Sequence, residues 1–150
     1  MKRSFMALVA LLAVSLLEVH VRDAHAQAAS SAALSVWAVF HQPVAATQAT
    51  ISKAAGGTTV KHVATSLTVC ISAVAAQPDI IFNLRDGATG AGTIVWTARL
   101  AAPTVGDSKC VVSPPLYIVG SSNTAMTLES AAAPAATNFA TVSLSGYDTL

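Results

Sequence analysis

The chain has 150 residues, 53% of them hydrophobic and only 10% charged, with a formal net charge of +1. It carries no basic field to attract nucleic acid and no polybasic patch for anionic lipid, which argues against charge-driven binding to either. Low charge among abundant Ala, Thr, Ser and Val predicts a neutral surface, of the kind that associates rather than repels.

The chain begins "MKRSFMALVALLAVSLLEVHVRDAHAQAAS". Lys2 and Arg3 precede an unbroken apolar run from Phe5 to Leu17, and Ala24-His25-Ala26 has the small-x-small pattern of a signal-peptidase site. This order predicts a secretory signal peptide over 1–26, a signal helix ahead of the fold. As a membrane anchor the run would reach only about 20 Å, against roughly 30 Å of hydrocarbon, so no stable anchor is expected after cleavage. The other reading is a buried first helix of the fold. Residues 27–150 are then enough for one domain with one core. In that portion Lys53, Lys61, Arg85, Arg99 and Lys109 balance Asp79, Asp86, Asp107, Glu129 and Asp148.

Residues 27–45 read as a loose segment holding one candidate first strand, "LSVWAVF", interrupted by His41-Gln42-Pro43, since proline removes a ladder donor. Residues 46–150 read as the folded domain. "TTVKHVATSLTVCISAV" alternates with period two: Val63, Thr65, Leu67, Val69, Ile71 and Ala73 fall on one parity, and His62, Ala64, Ser66, Thr68, Cys70 and Ser72 on the other. That predicts a long half-buried strand, bent or bulged midway. "DIIFNLRDG" places Ile80, Phe82 and Leu84 on one face, and "TIVWTARL" aligns Ile94, Trp96, Ala98 and Leu100, which makes Trp96 a predicted core residue. Between these runs lie Asp86-Gly87 and Gly90-Ala91-Gly92. A phosphate loop would lead through its glycines into a helix. A calcium loop would need more oxygen ligands than Asn83 and Asp86. A strand follows instead, so the segment predicts a β-hairpin turn with glycines at positive φ.

Further on, "CVVSPPLYIVG" is an extended stretch broken by Pro114-Pro115. "TAMTLES" puts Met126 and Leu128 inward and Glu129 toward solvent. "FATVSLSGYDTL" is a last strand with Val142 and Leu144 on one face. About seven or eight short strands with regular turn signals, and no helical stripe after the signal, predict an all-β, single antiparallel β-sandwich, jelly-roll-like or immunoglobulin-like.

No catalytic constellation stands out. There is no Gly-x-Ser-x-Gly, and His41 and His62 match no metal-ligating or triad spacing, so His62 reads as a strand-face residue. The carboxylates lie at turns, at the chain end or on a solvent face, with no pair spaced for glycoside hydrolysis. No metal or cofactor is expected. Cys70 and Cys110 read either as a disulfide, favoured by export, or as two separate buried thiols. Trp37, Tyr117 and Tyr147 are less clearly inward than Trp96 and are the candidate ligand-stacking aromatics, the feature that sugar sites on β-sandwiches use.

At "VKHVATSLTVCISA", "NLRDGATGAGTIVWTARL", "NTAMTLES" and "FATVSLSGYD" the chain resembles a group of small β-sandwich proteins encoded by bacteriophages, prophages and some bacteria, over Gln48 to Asp148. The resemblance implies a virion or cell-surface accessory part, such as a decoration or adhesion module, with no assigned catalytic residues. The N-terminal signal departs from that pattern and favours a bacterial exported protein or a phage-derived gene retained by a host. The expected role is a non-enzymatic, exported structural or interaction module in the periplasm, at the cell surface or outside the cell. Its partner would be a protein, a cell-surface component or a glycan, with self-association open to it. The alternatives are a carbohydrate- or small-ligand-binding module and, third, an exported hydrolase.

Overall fold

The structure, a computed structural model, describes residues Ser35–Leu150. The signal peptide and the first part of the 27–45 segment lie outside the described residues. Among those described, every regular element is a strand: β1 Ser35–His41, β2 Thr50–Lys53, β3 Lys61–Ser72, β4 Ile80–Asp86, β5 Thr93–Leu100, β6 Ser108–Val112, β7 Ile118–Val119, β8 Met126–Ser130 and β9 Phe139–Thr149.

All pairings are antiparallel, and they nest. β1 pairs with β9, β2 with β8, β3 with β6 and β7, and β4 with β5. Rolling this ladder up adds the pairings β9·β3 and β8·β4 and gives two sheets, β1-β9-β3-β6 and β2-β8-β4-β5, packed as a sandwich. With β6 and β7 counted as one strand interrupted at Pro114-Pro115, this is the eight-stranded jelly-roll order, not the immunoglobulin one. Ser113 bridges the interruption: its N–H donates to the Leu67 carbonyl and its Oγ accepts from the Leu67 N–H, each at 3.0 Å. The ladder therefore continues past a segment that prolines would otherwise leave unpaired.

The core lies between the sheets. Leu67, Val69, Ile71, Ala140, Val142 and Leu144 from one sheet meet Ile80, Phe82, Leu84, Met126 and Leu128 from the other. The alternation predicted for β4, β8 and β9 thus faces as expected. In β3 it does not run unbroken. A bulge leaves Thr65 without a partner between Ala64 and Ser66, and one extra residue inverts the facing. Before the bulge Ala64 joins the core and His62 is buried. After it Leu67, Val69 and Ile71 face in. Val63, although fully buried, and Thr65 therefore do not share the face of Leu67, Val69 and Ile71 as their parity implies.

The two tryptophans exchange expected roles. Trp37, on the candidate first strand, is 8% exposed and packs in the core. Its register partner is Gly146, where an added Cβ would lie 2.8 Å from the indole and closer still to the Val63 carbonyl oxygen, so only glycine leaves room for the ring. Trp96, on the edge strand β5, is only half-buried and packs against the core from its margin. Glu129, expected in solvent, is 1% exposed.

Candidate functional site

Three places gather chemistry: one end of the sandwich around His62, and the outer faces of the two sheets.

His62 is fully buried rather than on a strand face. Its Nδ1 lies 2.7 Å from Asp148 Oδ1, its Nε2 lies 2.8 Å from the Ala54 carbonyl, and Lys53 Nζ stands 3.4 Å from Asp148 Oδ2. The edge of the imidazole meets Trp37 with ring centres 6.0 Å apart, and the indole Nε1 is buried without a hydrogen-bond partner. Burial pushes the Asp148 carboxyl up, but the hydrogen bond from His62 and the charge of Lys53 outweigh it and hold the group below its usual value. The pair has the components of a catalytic dyad. In a hydrolase, however, Nε2 would turn to a nucleophile, and here it is engaged by a backbone carbonyl. The arrangement ties the β2–β3 loop to the end of β9.

The outer face of β2-β8-β4-β5 is largely polar and is covered in part, with Ile81 and Ile94 exposed away from the covered part. Arg85 Nε meets Glu129 Oε1 at 2.5 Å, and the Gly90 N–H donates to Glu129 Oε2 at 2.9 Å. Thr89 Oγ1 reaches Thr50 Oγ1 at 2.9 Å, Ser52 pairs with Thr127, and Thr97 donates to Asn83 Oδ1. The β4–β5 turn is a hairpin, as predicted, but it also folds back over this face and seals Glu129 beneath it. Asp86 accepts from the Ser121 N–H at 2.9 Å and the Ser121 Oγ–H at 2.6 Å. Both carboxylates near the turn are thus bound to the fold.

The outer face of β1-β9-β3-β6 is different. Cross-strand neighbours share a face, so its rows follow from the register. One row runs Val36–Tyr147–Val63–Val119 and another Phe40–Ser143–Thr68–Val112, with Ala38, Ser145 and Ser66 between them. Val36 is 81% exposed, Phe40 63% and Val112 66%. Lys61, opposite Thr149 at one end, is the charge on these rows; the interior of the face has none. At the other end Cys70 and Cys110, register partners in β3 and β6, form a disulfide with Cα atoms 4.1 Å apart, the close spacing of a non-hydrogen-bonded antiparallel pair.

Of the candidate stacking aromatics, Tyr117 and Tyr147 come together here and Trp37 does not. Trp37 lies in the core on the opposite side of the sheet. Tyr117 is 73% exposed. Hydrogen bonding with Tyr117, then burial, raises the Tyr147 hydroxyl above the usual tyrosine value. A shallow groove elsewhere, between Gln77–Ile81 and Ala131–Ala133, is lined mostly by apolar atoms. Among the described residues no three His, Cys, Asp or Glu side chains gather as metal ligands would.

No protein-family model matches the chain, and no curated protein matches it. One similar solved chain is described as "Bacillus endospore appendages form a novel family of disulfide-linked pili". It is 18% identical, with 75% of this chain and 87% of that one covered, at a TM-score of 0.33. At that score the two backbones agree too little for the likeness to inform the fold or the role.

Proposed function

We propose that the chain is a non-enzymatic, exported structural or interaction module that makes its contacts through the outer face of the β1-β9-β3-β6 sheet. The observation that carries this reading is the contrast between the two outer faces. One is mostly polar and partly closed by its own turn over the Arg85–Glu129 ion pair, with Ile81 and Ile94 its exposed apolar groups. The other presents uncharged rows with Val36, Phe40 and Val112 in solvent. Large contiguous apolar surfaces on a folded chain mark interaction sites. The Cys70–Cys110 bridge on that face supports export, because disulfides persist in oxidising compartments. Engagement of His62 Nε2 by the Ala54 carbonyl supports a role without catalysis. Surface decoration or adhesion is the finer form of this role.

In cells that produce the chain, Phe40→Lys and Val112→Lys should release it from the cell-associated fraction into the medium, while Ile94→Lys on the other outer face leaves it in place. Equal partition of all three variants would sink the proposal. A second reading, carbohydrate binding, is favoured by one observation, the exposed Tyr117 ring beside Tyr147. A glycan array repeated with Tyr117→Ala tests it: a specific glycan lost in the variant supports this reading, and no glycan bound removes it.

A further inference from the structure

Resting on the reading of this face as a contact surface, we infer that its partner is a second copy of the same chain, packed face to face about a twofold axis running along the strands between β9 and β3. The register carries the argument. In each apolar row the large exposed side chains stand on the outer strands. Val36 and Phe40 are on β1, while Val119 and Val112 are on β7 and β6. The middle strands carry Ser143, Ser145, Ser66 and Thr68, and in the Val36 row Tyr147 beside the fully buried Val63. A twofold axis along the central line keeps each residue at its own height and exchanges left for right. Val36 of one copy then faces Val119 of the second, Phe40 faces Val112, and the low serine and threonine line of β9 lies over that of β3. In the Phe40 row the face is thus complementary to itself in this one setting, with projecting apolar groups meeting at both margins and small groups along the middle, while in the Val36 row Tyr147 of each copy faces the recessed Val63 of the other.

Charge permits the contact. The interior of the face carries none, and the charged residues from Lys53 to Asp148 balance. A copy approaching its own image therefore meets like charge only at one end of the face, where the two Lys61 side chains flank the axis. The size is also sufficient. Strands β1, β9 and β3, of 7, 11 and 12 residues, with β6 and β7, of 5 and 2, lie about 4.8 Å apart at about 3.3 Å per residue and present roughly 600 Å² per copy, or about 1,200 Å² in all, the lower edge of specific interfaces. Sheets packed this way lie about 10 Å apart with strands within about 30° of parallel, which the common twist of two identical sheets allows.

Sedimentation velocity on the exported, oxidised chain over a range of concentrations tests the inference. A dimer is expected at tens of micromolar and dissociates on dilution. Phe40→Lys and Val112→Lys should each weaken it at least tenfold, and Ile94→Lys should not. The double variant Phe40→Lys with Val112→Glu should restore the dimer, because each introduced cation would face an introduced carboxylate of the other copy. Thermal melts confirm that the variants remain folded, as expected for exposed positions. A chain monomeric at every concentration, a dimer indifferent to both face substitutions, or a double variant without rescue overturns the inference. If the chain is monomeric yet Phe40→Lys still frees it from cells, the contact surface stands and its partner is another molecule.

Discussion

His62 and Asp148 oppose each other directly across β3 and β9 and meet through Nδ1 and Oδ1 at 2.7 Å, inside a rim that also holds Trp37 and Lys53. Both ring nitrogens face oxygen acceptors, Asp148 on one side and the Ala54 carbonyl on the other, so full satisfaction needs a proton on each. Removal of either partner leaves a buried polar group unmatched, a loss that exceeds the net worth of the bond itself.

This pair sets a pH dependence. Although burial acts to raise it, the Asp148 carboxyl lies below its usual value because His62 and Lys53 favour the ionised form. A carboxyl lowered in the folded state contributes stability above the unfolded value, about 3.9, and that contribution disappears as pH falls through the folded value. Urea unfolding at pH 7 and at successively lower values near 3 should show the loss. Asp148→Asn should be less stable at pH 7 and should lose less on acidification. Parallel acid limbs for the two proteins would contradict the assignment.

The Arg85–Glu129 pair predicts a large effect at a position the sequence pattern assigns to solvent. Glu129 is buried and Arg85 is nearly so, with the hairpin turn closing over them. Arg85→Ala strands a carboxylate under the turn and should cost roughly 3 kcal/mol or more. Glu129→Gln keeps an acceptor for the Gly90 N–H and should cost less. Chemical denaturation of both variants checks the order. An Arg85→Ala cost within a few tenths of a kcal/mol would mean that the turn opens freely.

The disulfide joins register partners 40 residues apart and fastens the edge strand β6, most of whose residues are exposed, to the long strand β3. In the chain-entropy model a closed loop of that length contributes about 4 kcal/mol. Reduction should lower the melting temperature without abolishing the fold, because the core of β3, β4, β8 and β9 lies elsewhere. Hydrogen exchange should speed first in β6. Complete unfolding on reduction would show that the core cannot hold the sandwich alone.

Much of this fold was legible in the sequence, because alternation with period two reports directly which side chains of a strand share a face. Ile80, Phe82 and Leu84, and Val142 and Leu144, sit in the core where their spacing puts them. Failures arise where three-dimensional events interrupt a local pattern. The expected bulge in β3 is present at Thr65, but the alternation does not mark its place, and the extra residue inverts the facing of the strand. β2 has four residues, too short for a period to register. Glu129 is hidden by a turn that folds back from another strand. Asn138 is fully buried as a staple, accepting from the Val74 and Ala75 N–H groups and donating to Gln77, and nothing local distinguishes it from an ordinary loop asparagine. The uncharged face could not be read from the sequence for a related reason. Its rows are assembled from β1, β3, β6, β7 and β9, and only the register aligns them.

The β4–β5 turn supplies a discriminating pair of substitutions. Gly90 and Gly92 both have positive φ, 69° and 80°, but differ in surroundings. A Cβ at Gly90 meets nothing within 4 Å, so Gly90→Ala should cost about 1 kcal/mol, the price of the left-handed backbone alone. A Cβ at Gly92 would fall 2.7 Å from the Gly87 Cα and inside contact distance of the Asp86 carbonyl oxygen. The obstacle is backbone that cannot rotate away, so Gly92→Ala should cost more than twice as much as Gly90→Ala. Read as a simple turn residue, Asp86 would tolerate Asn with little change. Its carboxylate instead accepts both the N–H and the Oγ–H of Ser121, so Asp86→Asn should cost on the order of 1 kcal/mol. Thermal melts of the three variants decide the matter. Equal costs at the two glycines would show that the turn relaxes to admit a side chain, and the closure over Glu129 would then be loose as well.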